Sequence, residues 1–256
     1  MFKFFIQLAF HFWPELYKKR FFKSLKSLNT DTYKCEPELG YLNKILHPNA
    51  TFIDIGTNKG IYLYQAEQII TTGRIIGFEP NSDMVKLASH LFPKAQIVPL
   101  AISSKTGTAT LFIPKIATGL QDTRGSLEAL GDNVEKVEIQ TITLDSWVQN
   151  NHLTTIDVVK IDVEGHEYDA ILGCQHILQH FKPIFIIEIE LRHAHYPIEA
   201  IFNFIQKFNY NVYYLDRKSK QLAPFDYTKM QLFQEDAFLN NFNLYINNFI
   251  FIPNQN

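Results

Sequence analysis

The chain has 256 residues, of which 46% are hydrophobic and 20% charged, so it can bury a core and is not intrinsically disordered. Its formal net charge of −2 argues against a dedicated nucleic-acid-binding protein, whose binding domain is normally basic. The two cysteines, Cys35 and Cys174, are too few for a disulfide scaffold and lack metal-ligand spacing. We therefore expect a globular cytoplasmic protein with reduced thiols.

The first 30 residues differ from the rest of the chain in charge and in aromatic content. They carry six basic residues and one acidic residue, which leaves a net charge of −7 on the other 226 residues. The uncharged run over residues 4–13 is too short for a membrane-spanning helix, which needs about 20 residues. Apolar residues at helical spacing and the helix-starting Pro14 instead predict two short amphipathic helices. We predict a helical N-terminal extension over residues 1–35 and one domain over residues 36–256.

Two roles are open for this extension. Its basic cluster at Lys18–Arg20 and its aromatic residues are typical of a helix that lies at an anionic membrane surface. Residues 1–28 would then hold the protein at the inner face of a membrane. Alternatively, the aromatic face packs on the domain core or on a partner subunit. The sequence carries no signal for a particular oligomeric state.

Between residues 50 and 102 the chain alternates between strand-like and helix-like segments. Pro99, inside the third strand-like run, indicates a bulge or a strand end. In chain order the segments are strand 51–56, helix 59–70, strand 74–79, helix 82–91 and strand 96–102. This alternation predicts an α/β protein with a Rossmann-like, doubly wound parallel sheet.

After residue 102 the alternation breaks and then returns. Strand-like runs at 108–113 and 137–144 flank a polar stretch with Gly119, Gly125 and Gly131, which predicts an extra β-hairpin with a long loop. A loop of about 20 residues is usually functional or disordered, so it is either a substrate-side lid or a plain mobile insertion. The remaining segments are strand 156–163, helix 166–180, strand 183–190, helix 197–208 and closing strands 210–215 and 248–252.

The strongest local signal lies directly after the first predicted strand, in the turn from Asp54 to Gly60. Gly56 permits a tight turn, and Gly60 lets the next helix begin close to the sheet. Glu79 ends the second strand, 19 residues after Gly60, where a carboxylate can accept hydrogen bonds from both ribose hydroxyls. Together these features predict an adenosine-type cofactor site at the carboxyl ends of the strands.

The same turn discriminates between cofactors. Asn58 stands where dinucleotide-binding folds have a glycine that lets the backbone approach the pyrophosphate. The chain also lacks the Lys-Ser/Thr signature of a phosphate-binding P-loop. S-adenosylmethionine, which has an adenosine group but no phosphate, fits this turn better than a nicotinamide dinucleotide.

Several motifs follow one another in the order of a known family. They are Phe52–Gly60, Gly77–Pro80, Ile142–Asp145, Asp157–Glu167, Leu172–Gly173 and Pro183–Glu188. Over residues 36–190 the chain resembles the FkbM-type S-adenosylmethionine-dependent methyltransferases, and its most specific motif is Lys160–Gly165. It departs from the family at Thr57, where alanine is usual. The resemblance implies a class I methyltransferase domain over residues 36–256, with a seven-stranded sheet whose last strand is antiparallel.

The resemblance also implies roles for individual residues. The methionine moiety of the cofactor would be lined by Asp54, Gly56, Asn58 and Gly60. Glu79 would bind the ribose, and Ala101 and Ile102 would lie near the adenine. From its position at the end of the fourth strand, and independently of the resemblance, we expect Asp162 to contact the cofactor or the methyl acceptor.

Ionisable residues follow the fourth and fifth strands and supply candidates for a catalytic base. A sugar hydroxyl is a poor nucleophile and gains from a base as the new bond forms. We predict His166, Asp162 and Glu164 as catalytic residues. The alternatives are that Glu164 and Glu167 only cap the following helix and that His166 binds substrate or is a structural turn residue. The pair His193-Ala-His195 is a weak metal signal, and we predict no metal.

We therefore predict an S-adenosylmethionine-dependent O-methyltransferase. Its methyl acceptor would be a small molecule or glycan: a sugar, a glycolipid precursor or a natural product, the class that the resemblance implies. Two other functions stay open. One is a non-catalytic, cofactor-binding or membrane-recruited module that kept the fold, and the other is a nicotinamide-dependent oxidoreductase.

Overall fold

A computed structural model of the protein describes residues 14–30, 36–114, 126–127, 134–235 and 245–254. The helices within these residues are α1 (Pro14–Thr30), α2 (Pro37–Ile45), α3 (Ile61–Ile69), α4 (Ser82–Leu91), α5 (Leu144–Asn150), α6 (Glu167–Leu172), α7 (Ile198–Gln206) and α8 (Met230–Phe233). The strands are β1 (Thr51–Ile55), β2 (Arg74–Phe78), β3 (Ala95–Val98), β4 (Ala101–Ile102), β5 (Gly107–Pro114), β6 (Val134–Ile142), β7 (Val158–Ile161), β8 (Ile184–Glu188), β9 (Tyr210–Asp216), β10 (Gln221–Pro224) and β11 (Asn248–Pro253).

The large sheet has the strand order β10-β9-β11-β8-β7-β1-β2-β3. Five neighbouring strands, from β3 to β8 in that order, run parallel, whereas β11 runs antiparallel to both β8 and β9. The predicted doubly wound, mostly parallel sheet with an antiparallel last strand is confirmed. The sheet has one strand more than the seven expected, because β10 forms a hairpin with β9 at the edge. Its short sequence, Gln-Leu-Ala-Pro, has no strand-like alternation.

The predicted strand-like run over residues 96–102 is divided at Pro99, where the sequence indicated a bulge or a strand end. Pro99 has no N–H group to continue the ladder, and the chain leaves the large sheet after β3. β4 then pairs with β6, which pairs with β5 in a separate three-stranded sheet. The expected extra hairpin, formed by β5 and β6, is therefore present. β4 is an edge strand of this small sheet and contains Ala101 and Ile102.

The prediction of one helix over residues 166–180 is wrong. α6 ends one residue before Gly173, which packs so tightly that a Cβ there would lie 2.3 Å from the carbonyl oxygen of Ser103. The Asp145 carboxylate then accepts two backbone N–H hydrogen bonds from the next turn, which becomes a single π-helical turn. Asp145 itself belongs to α5, which begins inside the predicted strand 137–144.

The N-terminal extension contacts the sheet face that α2, α3 and α4 cover. Its helix α1 reaches this core through Tyr17, Phe21, Phe22 and Leu25. The ring centroid of Phe22 lies 5.3 Å from that of Tyr64 and 5.9 Å from that of Phe92. This part of the extension packs on the domain core, as one of the two alternatives predicted. The first predicted helix falls within residues 1–13, which lie outside the described part of the chain, as do residues 31–35. No helix in the described part is long and apolar enough to cross a membrane.

Candidate active site

A cleft opens at the carboxyl ends of β1, β2 and β7, beside the edge strand β4. Most of the predicted site residues line it together. From the predicted cofactor set these are Gly56, Asn58, Glu79, Ala101 and Ile102. From the predicted catalytic set they are Asp162, Glu164 and His166. Asp54 and Gly60 do not line it.

The turn at Gly56 brings three strands together at the floor of the cleft. The backbone N–H groups of Gly56 and Thr57 both donate to the carbonyl oxygen of Phe78 at the end of β2. Gly56 has φ +84°, and a Cβ there would lie 1.7 Å from the carbonyl oxygen of Asp162. Only glycine fits between these two neighbouring strand ends.

Glu79 is held by the backbone on both sides. One carboxylate oxygen accepts a hydrogen bond from the N–H of Asn58 and the other from the N–H of Asn81, each at 2.8 Å. Burial raises the pKa of Glu79 to about 7, while these two hydrogen bonds lower it. An ionised carboxylate has about four lone-pair sites, so both oxygens of Glu79 can still accept hydrogen bonds from a ligand.

Asn58 offers a second hydrogen-bond acceptor to the cleft. It adopts the left-handed conformation with φ 47°, which the bond from its N–H to Glu79 holds. Its side-chain oxygen Oδ1 is buried and has no hydrogen-bond partner among the described residues. An unpaired buried carbonyl is costly, and a ligand that donates a hydrogen bond there would remove that cost.

Asp54 and Gly60 lie behind the cleft lining and support it. A Cβ on Gly60 would lie 2.2 Å from the ring of Phe92, so this glycine lets α3 begin against that ring. Asp54 is 3% exposed, and burial raises its pKa to about 8. Lys160 lowers that pKa, and the nearby carboxylates of Asp162 and Glu79 raise it further. The predicted contact of Asp54 and Gly60 with the methionine moiety stays a prediction.

The loops after β7 and β8 meet on the other side of the cleft. Gly165 has φ +101°, and a Cβ there would lie 2.5 Å from the carbonyl oxygen of His193. The Nε2 atom of His193 lies 3.7 Å from a carboxylate oxygen of Glu164 and 3.2 Å from one of Glu190. Arg192 pairs with the same Glu190 oxygen at 2.6 Å. The contact with His193, an ion pair when that histidine is protonated, places Glu164 at the mouth of the cleft.

Glu167 holds the loop after β7 in place. Its Oε1 accepts hydrogen bonds from the N–H groups of Gly165 at 3.0 Å and Val163 at 3.3 Å. The hydroxyl of Tyr196 donates to its Oε2 at 3.2 Å. Both N–H donors precede α6, so these contacts hold the loop and leave the helix-capping alternative for Glu167 a prediction. Burial raises its pKa to about 7.

His166 lies between the cleft and the three-stranded sheet, at the start of α6. Its Nε2 is 3.0 Å from the hydroxyl oxygen of Ser103, and its Nδ1 is 3.9 Å from a carboxylate oxygen of Asp169. The ring is therefore oriented by neighbours on both nitrogens while it lines the cleft. This arrangement is compatible with a catalytic base, with a residue that binds substrate and with a structural residue, so all three predicted roles remain.

Two residues of the predicted lid contact the site. Ser126 pairs with Phe112 of β5 through both backbone groups, and its hydroxyl donates to the carbonyl oxygen of Glu164 at 2.7 Å. Leu127 lines the cleft. The long loop therefore meets the cleft at this point. Gly119, Gly125 and Gly131 lie outside the described residues.

Metal ligation has no support in the residues described. Among them, no group of three or more histidine, cysteine or carboxylate side chains is placed to hold a metal ion. His193 of the predicted pair is instead engaged with Glu164 and Glu190.

Sequence reasoning missed Lys160, which is fully buried beneath the site in β7. Its Nζ donates hydrogen bonds to the side-chain oxygen of Asn248 at 3.0 Å and to the carbonyl oxygen of Ile161 at 3.3 Å. The signal was available, because Lys160 is the one charged residue inside the otherwise apolar β7. A lysine in a strand buried on both faces needs partners, and the side-chain partner comes from β11, far away in the sequence.

Comparison with known proteins agrees with these observations. Residues 54–212 match the family described as the Methyltransferase FkbM domain. The chain is 29% identical over 143 residues to the hexuronic acid methyltransferase AglP of Haloferax volcanii, a match that covers 53% of this chain and 54% of AglP. It is 24% identical over 178 residues to the 2-O-methyltransferase NoeI of Sinorhizobium fredii, which covers 63% of this chain and 73% of NoeI. This chain thus spans about half the length of AglP.

A solved structure is also similar. The methyltransferase FkbM from Methylobacillus flagellatus matches 91% of this chain and 59% of its own, with 13% sequence identity and a TM-score of 0.49. The family match itself covers more than half of the sequence. The chain belongs to the FkbM methyltransferase domain family.

Proposed function

We propose that this protein transfers a methyl group from S-adenosylmethionine to a hydroxyl group of a sugar, a glycolipid precursor or a natural product. The observation that carries this proposal is the pair formed by Glu79 and Asn58 at the carboxyl edge of the sheet. Glu79 has acceptor capacity left for two ribose hydroxyls. The Oδ1 atom of Asn58, which has no hydrogen-bond partner among the described residues, can accept a hydrogen bond from the α-ammonium group of the cofactor.

The charge of the cleft favours this cofactor over a dinucleotide. Its lining includes the carboxylates of Glu79, Asp162 and Glu164, and the described lining residues include no lysine or arginine. A pyrophosphate would be repelled by such a surface, whereas a sulfonium and an ammonium would be attracted. Apolar walls that include Phe78 and Ile102 suit an adenine ring.

When bound, the cofactor supplies an electrophilic methyl group with a neutral leaving group. The protein then has to align the methyl acceptor, exclude water and take up the hydroxyl proton. We propose that His166 takes this proton and that Asp162 and Glu164 bind and orient the acceptor's hydroxyl groups. Asp162 and Glu164 have side chains that are 34% and 27% exposed, so a ligand can reach both.

The class of methyl acceptor rests on relatives. AglP is named a hexuronic acid methyltransferase and NoeI a 2-O-methyltransferase. We extend the common element, transfer to a sugar hydroxyl, to this chain. A methyl-labelled cofactor and a panel of free and lipid-linked sugars test it. Label transfer to a sugar supports the proposal, and tight cofactor binding without transfer to any sugar supports the non-catalytic alternative.

We also propose that residues 1–28 contact an anionic membrane at its inner, cytoplasmic face. The face of α1 turned away from the core exposes Lys19, Arg20 and Lys23, with Leu16 49% exposed beside them. These positions share one helix face because they follow the spacing i, i+3, i+4, i+7. The basic face is opposite in sign to the rest of the chain. A membrane-bound protein would meet glycolipid acceptors directly.

Co-sedimentation with vesicles tests this contact. The full chain should bind vesicles that contain phosphatidylglycerol and not vesicles of pure phosphatidylcholine. Replacing Lys19, Arg20 and Lys23 by glutamine should remove most of the binding. The matched control replaces Lys44, Lys86 and Lys218, which are exposed elsewhere, by glutamine and should keep it. Equal binding by both triple variants would contradict the proposal.

A further inference from the structure

Lys160 is a buried cation that the proposed mechanism has not used. It is 0% exposed and lies in β7, between β1 and β8. It precedes the cleft residue Asp162 by two positions, and its Nζ lies 3.9 Å from a carboxylate oxygen of Asp162. A lysine with no access to water is retained at a high desolvation cost unless its partners compensate for it.

The environment of Lys160 is strongly acidic. Its Nζ is fixed by the hydrogen bonds to Asn248 and Ile161 and lies 5.0 Å from the ring centroid of Tyr62. The titratable and charged groups that interact with it or with its neighbouring carboxyl groups are Asp162 directly after β7, Asp54 of β1, Glu188 of β8, Glu36 and Glu38 at the start of α2, Tyr62 of α3 and Arg217 after β9. Most of the groups that interact with Lys160 are therefore carboxyl groups.

The charge on Lys160 is preserved in this environment. Burial alone lowers the pKa of its ammonium, but the carboxylates of Asp162, Glu188, Glu36 and Asp54 raise it above the usual value. Of these four carboxyl groups only Asp162 lines the cleft. The buried cation thus contacts the cleft through a single side chain.

We propose that Lys160 is a positioning residue that supplies the counter-charge for Asp162 and keeps its carboxylate facing the reacting centre. Its Nζ reaches Asp162 from the protein interior, while the other side of that carboxylate is open to the cleft. Without Lys160, Asp162 faces the carboxyl groups of Asp54, Glu36 and Glu188 with no cation between them, and it takes up a proton or turns away. The proposal rests on the proposed function only in the role of Asp162 at the reaction.

The test measures Asp162 directly. Carboxyl carbons of aspartate are labelled with ¹³C in the full chain, and the Asp162 signal is assigned by its loss in Asp162→Asn. In Lys160→Met we expect the pH at which Asp162 titrates to rise, since the cation 3.9 Å from its carboxylate is removed. An unchanged titration in a folded Lys160→Met protein would overturn the proposal.

A second variant keeps the test valid if Lys160→Met does not fold. Asn248→Asp preserves the size of the side chain and the lysine, and it places a competing carboxylate 3.0 Å from Nζ. The titration of Asp162 should then move upward by a smaller amount. An unchanged Asp162 titration in a folded Asn248→Asp protein would overturn the proposal.

Lys182 provides a matched control. Its Nζ also donates to a backbone carbonyl, that of Phe208, and lies 5.4 Å from the ring centroid of Tyr210. It does not line the cleft or contact Asp162, so Lys182→Met should leave the Asp162 titration unchanged. A shift of the same size in Lys182→Met would contradict a specific role for Lys160.

Activity separates this inference from the proposed function. Once a methyl acceptor is known, Lys160→Met should lower kcat by about tenfold, because Asp162 is no longer held toward the acceptor, with little change in KM for the cofactor. A shifted Asp162 titration without any methyl transfer would preserve the positioning role and refute the proposed function. Methyl transfer with an unchanged Asp162 titration would support the proposed function and refute the positioning role of Lys160.

Discussion

The two sides of the cleft are held together by different kinds of contact. On the side that we propose binds the cofactor, the cofactor side, Gly56, Asn58 and Glu79 lie within 24 residues of chain and are joined by backbone N–H groups. On the side that we propose binds the acceptor, the acceptor side, Glu164 is held by His193 and Ser126, which come from separate loops. The first side is rigid because strand ends fix it, whereas the second depends on side chains and on the long loop. Cofactor recognition should therefore be sensitive to the backbone, and acceptor recognition to single side chains.

The largest effect should come from the backbone of the cofactor side. Gly56→Ala places a Cβ 1.7 Å from the carbonyl oxygen of Asp162 and forces a residue with a side chain to adopt φ +84°. We expect the free energy of unfolding to fall by about 3 kcal/mol or more, measured by urea denaturation.

Gly40→Ala is the control for that change. Gly40 lies in α2, and a Cβ there meets nothing within 4 Å. The substitution should leave stability unchanged or raise it by about 0.5–1 kcal/mol, because alanine is the better helix former. Similar losses in the two variants would contradict the steric account of the Gly56 turn.

Glu79→Gln tests the carboxylate of the cofactor side. A neutral amide offers one oxygen acceptor and cannot accept from Asn58, Asn81 and two ribose hydroxyls together. We expect cofactor affinity to fall about 100-fold. This corresponds to a loss of about 2.7 kcal/mol of binding free energy, as expected when charge-assisted hydrogen bonds to the cofactor are lost. Glu67→Gln, whose carboxylate also binds a backbone N–H but lies outside the cleft lining, should bind normally in calorimetry.

His166→Ala tests the acceptor side. Loss of a general base typically lowers the rate about 100-fold, and the cofactor dissociation constant should change less than about twofold. Single-turnover experiments measure the methyl-transfer rate, and calorimetry on the same protein measures the cofactor dissociation constant. His47→Ala, at the opposite edge of the sheet beside Asp157, should leave both values unchanged. Normal turnover in His166→Ala would assign the histidine to its structural role.

The smallest expected effect is a pH dependence of cofactor binding. Because burial raises the pKa of Glu79 to about 7, roughly a tenth of Glu79 is ionised at pH 6 and roughly nine tenths at pH 8. Affinity should therefore rise about tenfold from pH 6 to pH 8, and Glu79→Gln should lose the part of this dependence that Glu79 contributes. An affinity that falls over this range would have the wrong sign for ribose binding by an ionised Glu79.

The comparison also explains what the sequence could predict. The turn from Asp54 to Gly60 and the position of Glu79 could be predicted, because a strand, a glycine turn and a terminal carboxylate form a local sequence pattern. Long-range contacts could not be predicted in this way. Asn248, which accepts a hydrogen bond from Lys160, lies 88 residues away in the sequence. The break at Pro99 was signalled by its missing N–H, but the transfer of β4 to another sheet depends on pairing with β6.

The central claim is that the cleft binds S-adenosylmethionine through Glu79, and isothermal titration calorimetry tests it most directly. We predict micromolar binding of S-adenosylmethionine and S-adenosylhomocysteine to the full chain, loss of most of that affinity in Glu79→Gln, and no binding of NAD. Preferential binding of NAD, or full affinity for S-adenosylmethionine in Glu79→Gln, would contradict the account.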